Sequence, residues 1–243
     1  MSTRRFSLIG PGRAGQSLGV ALVSCGWTSG PVFGRRNDPT RALNDVDLCV
    51  LAVPDDAIAA VASSIEPNDD TVLMHLSGAT PLSALGDHRA ASLHPLVSLA
   101  EPIRGAEALR SAWFAVAGDP MADRVAEELS GQRFRIADED RALYHATAVV
   151  ASNHLVVLLA QVERLAMEVG VPMEAFLPLI RGAIDNVDHL GAHAALTGPA
   201  ARGDSDTIDQ HRAAIAERIP DDLDLYNELV RHAQHLAGTE AAD

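Results

Sequence analysis

Short apolar runs separated by amphipathic segments dominate the first half of the chain. The apolar runs lie at residues 6–9, 31–34, 47–53, 71–76, 90–94, 113–116 and 133–136. Helical spacing of the apolar residues marks the segments 16–24, 55–65 and 120–129. The run 47–53 (D-L-C-V-L-A-V) is apolar after its first residue, as expected of a parallel strand covered on both faces. This alternation predicts an α/β fold with a doubly wound parallel sheet up to about residue 137.

From residue 138 onward the strand pattern is lost and only helical patterns follow. Residues 142–169 are apolar at helical spacing and contain no proline. They predict one helix of roughly 40 Å, long enough to cross from one domain into another. Further helices are predicted at 172–190, 204–218 and 220–236, two of them beginning at a proline. The sequence therefore predicts two domains, 1–137 with the sheet and 138–243 entirely helical.

The charge balance narrows the classes of partner. The 243 residues include 33 acidic and 19 basic ones, for a formal net charge of −14. This acidic excess argues against nucleic-acid binding and against an anionic membrane surface, because both need basic residues. All the basic residues are arginine. A Schiff-base lysine, a P-loop lysine and a lysine general acid are therefore excluded.

The cysteines and the apolar segments bear on the cellular compartment, and the histidines bear on metal binding. Cys25 and Cys49 are the only cysteines. They are too few for a disulfide framework, which favours a reducing cytoplasm. Residues 1–5 lack the apolar stretch of a signal peptide, and no later segment is expected to reach membrane-spanning length. The ten histidines are scattered without an H-E-x-x-H motif, so no metal site is predicted.

A glycine-rich turn follows the first apolar run and opens the first helical segment. It matches G-x-G-x-x-G and consists of Gly10, Pro11, Gly12, Arg13, Ala14 and Gly15. In such a turn the first glycine allows the tight bend, the second lets the backbone approach a pyrophosphate, and the third lets the helix pack on the strand. The amides of the helix N-terminus then favour an anion. The turn predicts a dinucleotide-binding site; the alternative is a purely structural glycine turn.

The residues after the second apolar run bear on the choice of dinucleotide. Sites that prefer NAD carry an acidic residue there, whereas this chain has Arg35 and Arg36. Two guanidinium groups can bind a 2′-phosphate, so we predict NADP(H) as the cofactor. The alternative is a pair of solvated surface arginines.

The loops after the third and fourth apolar runs should lie on the same side of the sheet as the glycine turn. Val53 and Pro54 would then border the adenosine or the nicotinamide ribose. Ser77 in H-L-S-G-A is the expected polar contact near the nicotinamide, and His75 is expected to pack or to bond to backbone.

Four stretches taken together resemble one family. They are the glycine turn, H-L-S-G-A from His75 with S-L-H-P-L from Ser92, Y-H-A-T-A-V-V-A-S-N from Tyr144, and L-T-G-P-A-A-R-G-D from Leu196. The chain resembles a little-characterised group of Rossmann-like proteins that carry a C-terminal helical domain of unknown function. That group is similar to ketopantoate reductases, prephenate dehydrogenases and pyrroline-carboxylate reductases, which act on small carboxylates in a cleft between a nucleotide domain and a helical domain.

The resemblance implies a homodimer formed through the helical domain. It also implies an oxidoreductase, since some members of the group are thought to act as an alternative ketopantoate reductase. Ketopantoate reductases proper use a lysine as general acid. That role cannot be carried over to a chain without lysine.

The long predicted helix offers candidates for the chemistry. In a regular helix His145, Val149 and Ser152 share one face, and Asn153 lies nearly on it. Histidine titrates near neutrality, so His145 would serve as the proton donor. Asn153 would donate to the substrate carbonyl, and Ser152 would orient the substrate or the nicotinamide amide. Alternatively, Ser152 and Asn153 form a satisfied polar pair within a helix–helix contact.

Three further residues are candidates for substrate binding. His94 lies at a predicted strand end and is an alternative acid. Asn186 would contact the substrate, or would be a helix-surface amide. Arg202 would hold a carboxylate as a fork, or would pair with Asp204, the predicted N-cap of the next helix.

The sequence therefore predicts a cytoplasmic, NADP(H)-dependent oxidoreductase that reduces a small 2-oxo acid, with ketopantoate first. One alternative is another oxidoreductase that acts on a different bond, as in an imine reductase or a prephenate-type dehydrogenase. The other is a dinucleotide-binding sensor or scaffold without turnover.

Overall fold

Residues 3–238 are described by the structure, a computed structural model. The chain divides into two compact units, one up to Ser152 and the other from Asn153 onward. The sequence prediction placed this division after residue 137. The last five residues of the predicted second domain lie outside the described residues.

The first unit contains a seven-stranded sheet in the order β2-β1-β3-β4-β5-β6-β7. The strands are β1 Arg5–Ile9, β2 Thr28–Phe33, β3 Leu48–Leu51, β4 Val72–His75, β5 Ala90–Pro95, β6 Trp113–Gly118 and β7 Gln132–Phe134. The first five strands are parallel, which confirms the predicted fold class. Strand β6 is antiparallel to β5, and β7 is parallel to β6. The last two strands therefore run opposite to the others, which the apolar pattern did not predict.

Ten α-helices complete the described chain. They are α1 Arg13–Ser24, α2 Ile58–Ser63, α3 Pro102–Leu109, α4 Met121–Glu128, α5 Arg141–Val149, α6 Leu155–Glu168, α7 Leu177–Ala195, α8 Pro199–Arg202, α9 Ser205–Arg218 and α10 Leu223–Gly238. Helix α3 was missed by the sequence analysis. Its signal was present, because Glu101 caps it by accepting from two backbone amides and Pro102 occupies the first turn.

The central strands β3 and β4 are buried on both faces, as the continuous apolar runs predicted. Along β3, Leu48 and Val50 belong to one apolar cluster, whereas Cys49 and Leu51 belong to another. Successive side chains of a strand point to opposite faces, so the two clusters are the two layers of core.

The second unit is helical, as predicted. A partly buried ion pair links two of its helical segments, since Arg164 donates through two nitrogens to the carboxylate of Asp222, at 2.8 and 2.5 Å. The buried amide of Gln161 donates to the backbone carbonyl of Asp222 at 2.9 Å. Helix α7 is kinked at Gly191, whose φ of 78° is not helical.

The long predicted helix exists but is not regular. Between α5 and α6, residues Val150–His154 form a π-helical turn. Residues 138–168 are also long and apolar enough to cross a membrane by length and hydropathy, so the expectation that no segment would reach that length is wrong. One such helix is weak support for a membrane span.

Candidate cofactor and substrate site

The parallel strands bring most of the predicted site residues of the first unit to one edge of the sheet. Strands β1, β3, β4 and β5 all end at this edge. The loops that leave it carry the glycine turn, Val53, Pro54 and Ser77, and His94 lies in the last residues of β5. In open sheets of this kind, ligands bind beyond the carboxyl ends of the strands.

The three glycines of the turn have the geometry that the motif predicts. Gly10 has a φ of 90°, and a Cβ there would lie 2.4 Å from the backbone oxygen of Ala52. A Cβ on Gly15 would lie 2.4 Å from the backbone oxygen of Gly10, so only glycine lets α1 pack this closely. A Cβ on Gly12 would meet none of the described atoms within 4 Å. The backbone at Gly12 therefore faces open space.

The N-terminus of α1 is suited to an anion. Gly12 is its N-cap, so no side chain caps it, and the first turn contains no acidic residue. Gln16 instead donates to the carbonyl of Pro11 at 2.6 Å, which fixes the turn from inside the helix. Uncapped amides and the positive end of the helix dipole favour a phosphate group, so these residues fit a pyrophosphate.

The turn after β2 adjoins the glycine turn. A Cβ on Gly34 would lie 3.9 Å from Pro11, and Asn37 accepts from the Gly34 amide at 2.8 Å. Arg35 and Arg36 follow and are exposed, and within residues 3–238 neither forms an ion pair. This placement is compatible with a phosphate site and also with a solvated surface pair.

The loops after β3 and β4 contribute apolar contact and a fixed turn. Val53 approaches Gly10, with Cγ1 3.1 Å from the position of a Cβ there, and Pro54 starts the 3-10 turn Asp55–Ala57. The buried Ser77 hydroxyl accepts from the amides of Ala79 and Thr80 at 3.2 and 3.0 Å. The Ser77 oxygen therefore stabilises its own loop as an acceptor, while its O–H group can still donate a hydrogen bond to a ligand.

A cluster of aromatic side chains surrounds His94. Its Nδ1 lies 2.6 Å from the hydroxyl oxygen of Tyr144, and its ring meets those of Tyr144 and His145 edge-on, with centroids at 5.5 and 5.9 Å. Three ring atoms of His94 lie 3.0 Å from the position of a Cβ on Gly78. The imidazole therefore lies flat on the H-L-S-G-A loop, and Gly78 makes the space for it.

A buried cation lies near the histidines. Arg141 is only 4% exposed and donates to Asp138 at 2.6 Å and to the hydroxyl of Ser92 at 3.4 Å. Burial, reinforced by Arg141, lowers the pKa of His75 to about 4. Burial, reinforced by His145 and Arg141, lowers the pKa of His94 to about 4 as well. Both imidazoles are therefore neutral near pH 7.

His75 bonds to backbone, as the sequence analysis expected. Its Nδ1 accepts from the Ser77 amide at 3.2 Å, and its ring is fully buried. Its Nε2 is buried without a hydrogen-bond partner in the described part of the chain.

The π-helical turn changes the predicted catalytic face. The sequence analysis assumed a regular helix, but Ser152 and Asn153 lie within the π turn, which has more residues per turn than an α-helix. The angular position of Ser152 relative to His145 therefore differs from the i, i+7 prediction. Ser152 and Asn153 are exposed, and the Ser152 hydroxyl donates to the carbonyl of Ala148 at 2.7 Å.

The two substrate-binding candidates of the second unit are exposed. Asn186 lies on α7. Arg202 ends α8 before Gly203, and its guanidinium is 4.0 Å from the Asp204 carboxylate, the outer limit of an ion pair. Asp204 caps α9, as predicted, by accepting from the amide and hydroxyl of Thr207.

Sequence reasoning missed Tyr144, Arg141 and Gly78. Tyr144 and Gly78 lay within quoted motifs, but nothing in their spacing related them to His94. No group of three or more metal-ligating side chains occurs among residues 3–238.

The fold and the glycine turn define a two-part protein with a Rossmann-type sheet and a helical domain. Residues 113–233, from β6 into α10, match a domain of unknown function, DUF2520. The match is in keeping with the resemblance that the motifs indicated, and it covers 113–233 of the 243 residues. No curated protein matches the chain in sequence.

Solved structures share the fold along nearly the whole chain. A protein of Thermotoga maritima is 26% identical with a TM-score of 0.73, over 97% of this chain and 99% of its own. A Bacteroides fragilis protein, provisionally described as an NADP oxidoreductase, is 18% identical with a TM-score of 0.80, over 96% and 98%. A Plasmodium falciparum pyrroline carboxylate reductase with NADP bound is 11% identical with a TM-score of 0.63, over 98% and 100%.

Proposed function

We propose that this protein is an NADP(H)-dependent oxidoreductase that reduces a small 2-oxo acid, with ketopantoate as the first substrate to test. The observation that carries the proposal is the line of groups along one sheet edge. An open glycine turn follows β1, and neutral histidines end β4 and β5. A dinucleotide site and a set of hydrogen-bond donors therefore share the edge at which such sheets bind ligands.

The chain's own residues fit the cofactor. The backbone at Gly10, Gly12 and Gly15 would hold the pyrophosphate, and Arg35 and Arg36 would hold a 2′-phosphate. When bound, the reduced dinucleotide supplies the hydride. Val53 and Pro54 would border its ribose, while Ser77 would offer its hydroxyl proton near the nicotinamide. Similar solved structures are described with NADP and another with NAD, so the choice of NADP(H) rests on Arg35 and Arg36.

The substrate would be positioned by the remaining candidates. His145, Ser152 and Asn153 are proposed to face the reacting carbonyl, and Asn186 and Arg202 to hold the carboxylate. Arginine can bind a carboxylate through two parallel hydrogen bonds but does not give up a proton.

A cyclic imine is the second candidate substrate. It is favoured by the shared fold of a reductase whose name gives a pyrroline carboxylate as its substrate.

The proposal is tested by mixing purified protein with NADPH or NADH and a panel of ketopantoate, other 2-oxo acids and cyclic imines. We expect loss of NADPH absorbance with a 2-oxo acid, faster than with NADH. Turnover of cyclic imines but not of any 2-oxo acid would favour the cyclic imine as the substrate class. Tight NADPH binding without turnover of any panel member would contradict the catalytic proposal and favour a dinucleotide sensor.

We also propose that the protein is a cytoplasmic homodimer. Both cysteines are free thiols, and Cys49 is buried, which supports a reducing compartment. Helix α7 has no buried residue, and its exposed large apolar side chains are Leu179, Ile184, Val187 and Leu190. Exposed apolar surface of this kind is typical of an interface, and a second copy is the partner we propose.

A further inference from the structure

His94 is fixed by contacts with Gly78 and Tyr144. It lies three strand spacings from the glycine turn of β1, roughly 14 Å along the sheet edge. Gly78 lies beneath its ring, and Tyr144 contacts Nδ1. Its other ring nitrogen, Nε2, has no hydrogen-bond partner in the described chain and retains contact with solvent. One side of the imidazole is fixed, and the other is available to a ligand.

We propose that His94 donates a hydrogen bond from Nε2 to the reacting carbonyl oxygen of the substrate, and that Tyr144 is the positioning residue that fixes this tautomer. The proposal rests on the reductase function proposed above and assigns a residue to its chemistry. It differs from the expectation of an acidic histidine, because His94 here keeps its proton.

In the proposed tautomer the Tyr144 hydroxyl is the donor and Nδ1 of His94 is the acceptor. Burial raises the pKa of the Tyr144 hydroxyl to about 12, so the phenol is protonated and can donate. The Tyr144 hydroxyl oxygen lies 2.6 Å from Nδ1 of His94, within hydrogen-bond distance. A neutral imidazole has one donor and one acceptor nitrogen, so an Nδ1 that accepts leaves the proton on Nε2.

The surrounding charges keep the ring neutral. Burial disfavours the imidazolium form of His94, and so do His145 and Arg141, while Asp55 opposes them. The pKa of His94 is about 4 as a result. A neutral imidazole that is already fixed in place can stabilise a developing oxyanion by its N–H without transferring the proton.

The reaction balances without a protein acid. The carbonyl carbon of the 2-oxo acid receives the hydride, and its oxygen takes one proton from solvent water to give the 2-hydroxy acid. The N–H of His94 stabilises the charge on that oxygen until the proton arrives. Preorganisation by Gly78 and Tyr144 places this donor before the reaction begins.

Kinetics of matched variants test the role of His94. We expect His94→Ala to lower kcat by about 10²- to 10³-fold, as for loss of an oxyanion donor. His94→Gln should recover a large part of this loss, since an amide is also a neutral donor. kcat should be flat between roughly pH 5.5 and 8. A glutamine variant no better than alanine, with kcat following a group near pH 6.5, would show an acid and overturn the proposal.

The positioning role has its own control on the same helix. We expect Tyr144→Phe to lower kcat about tenfold with KM little changed, since one hydrogen bond is lost and the substrate is not touched. Leu143→Ala, at a side chain that is 72% exposed, should behave as wild type. Thermal unfolding of each variant checks that it folds. Unchanged kcat in Tyr144→Phe would refute the role of the tyrosine.

A second readout does not require turnover. Nitrogen-15 NMR of the imidazole in the full-length protein should show His94 neutral at pH 7 with its proton on Nε2. Tyr144→Phe should populate the Nδ1–H form. A charged ring or an Nδ1–H ring in the wild type contradicts this inference even if the protein turns over. Absence of turnover in the wild type contradicts the proposed reductase function instead.

Discussion

The glycine turn allows a test that separates cofactor binding from folding. Gly12→Ala adds one methyl group where the described structure leaves 4 Å of open space. The φ of Gly12 is −76°, which alanine adopts without strain. Alanine is a poorer N-cap than glycine by about 0.5–1 kcal/mol, but it restricts the unfolded chain by a similar amount. We therefore expect almost no change in the free energy of unfolding.

The same methyl group would occupy the space that a pyrophosphate needs. Loss of one charge-assisted hydrogen bond from a backbone amide costs about 1.5–3 kcal/mol. The Kd for NADPH should then rise by about 10- to 150-fold. Calorimetric titration measures the Kd, and thermal unfolding without ligand measures the stability.

Gly15→Ala is the matched comparison. Its methyl group would lie 2.4 Å from the backbone oxygen of Gly10, so strand and helix must separate. Overpacking of this kind costs about 1–3 kcal/mol. The Tm should fall by about 2–4 °C for each kcal/mol. Wild-type affinity for NADPH in Gly12→Ala would refute the argument that this turn holds the pyrophosphate.

Three further predictions address the cofactor, the buried histidines and the assembly. Replacing Arg35 and Arg36 by alanine should weaken NADPH binding at least tenfold more than NADH binding, because a phosphate contact contributes about 1.5–3 kcal/mol. Titration of both dinucleotides measures the two affinities, with Arg124→Ala as the control. Equal losses of affinity for NADPH and NADH would contradict the phosphate contact. The Tm should fall as pH drops from 6.5 towards 4. Burial lowers the pKa of His75 from 6.5 to about 4, so the unfolded chain binds more protons in that pH window. His75→Asn should reduce the dependence of Tm on pH, and an unchanged dependence would contradict the role of His75. Leu179→Glu should convert a dimer into a monomer by light scattering, and a variant of dimer mass would exclude this face as the interface.

The apolar pattern predicted the strands of the first unit well, because a parallel strand covered on both faces leaves a continuous apolar run. β3 lies within the predicted run 47–53, and β5 begins at the predicted Ala90. Strand direction was not available from the same signal. β6 is apolar like its neighbours, yet it runs antiparallel to β5. Hydrophobicity reports burial, and both directions bury a strand equally.

The apolar pattern likewise did not predict the irregular turn within the long helix. Residues 142–169 carry a helical period, but the π turn Val150–His154 interrupts it. The wider turn moves Ser152 relative to His145, although residues 142–169 contain no proline to mark the change. Face assignments across such a turn depend on the backbone itself.

The sequence by itself determined the fold class, the glycine turn and the ends of most elements, since these follow from periodicity and from backbone freedom at single residues. The tertiary structure alone decided which polar groups meet. Tyr144 and His94 are 50 residues apart, and their contact exists only because α5 passes the end of β5. The same packing buries Arg141 beside His75 and His94 and keeps both rings neutral. Protonation depends on neighbours in space, which a sequence read along the chain does not contain.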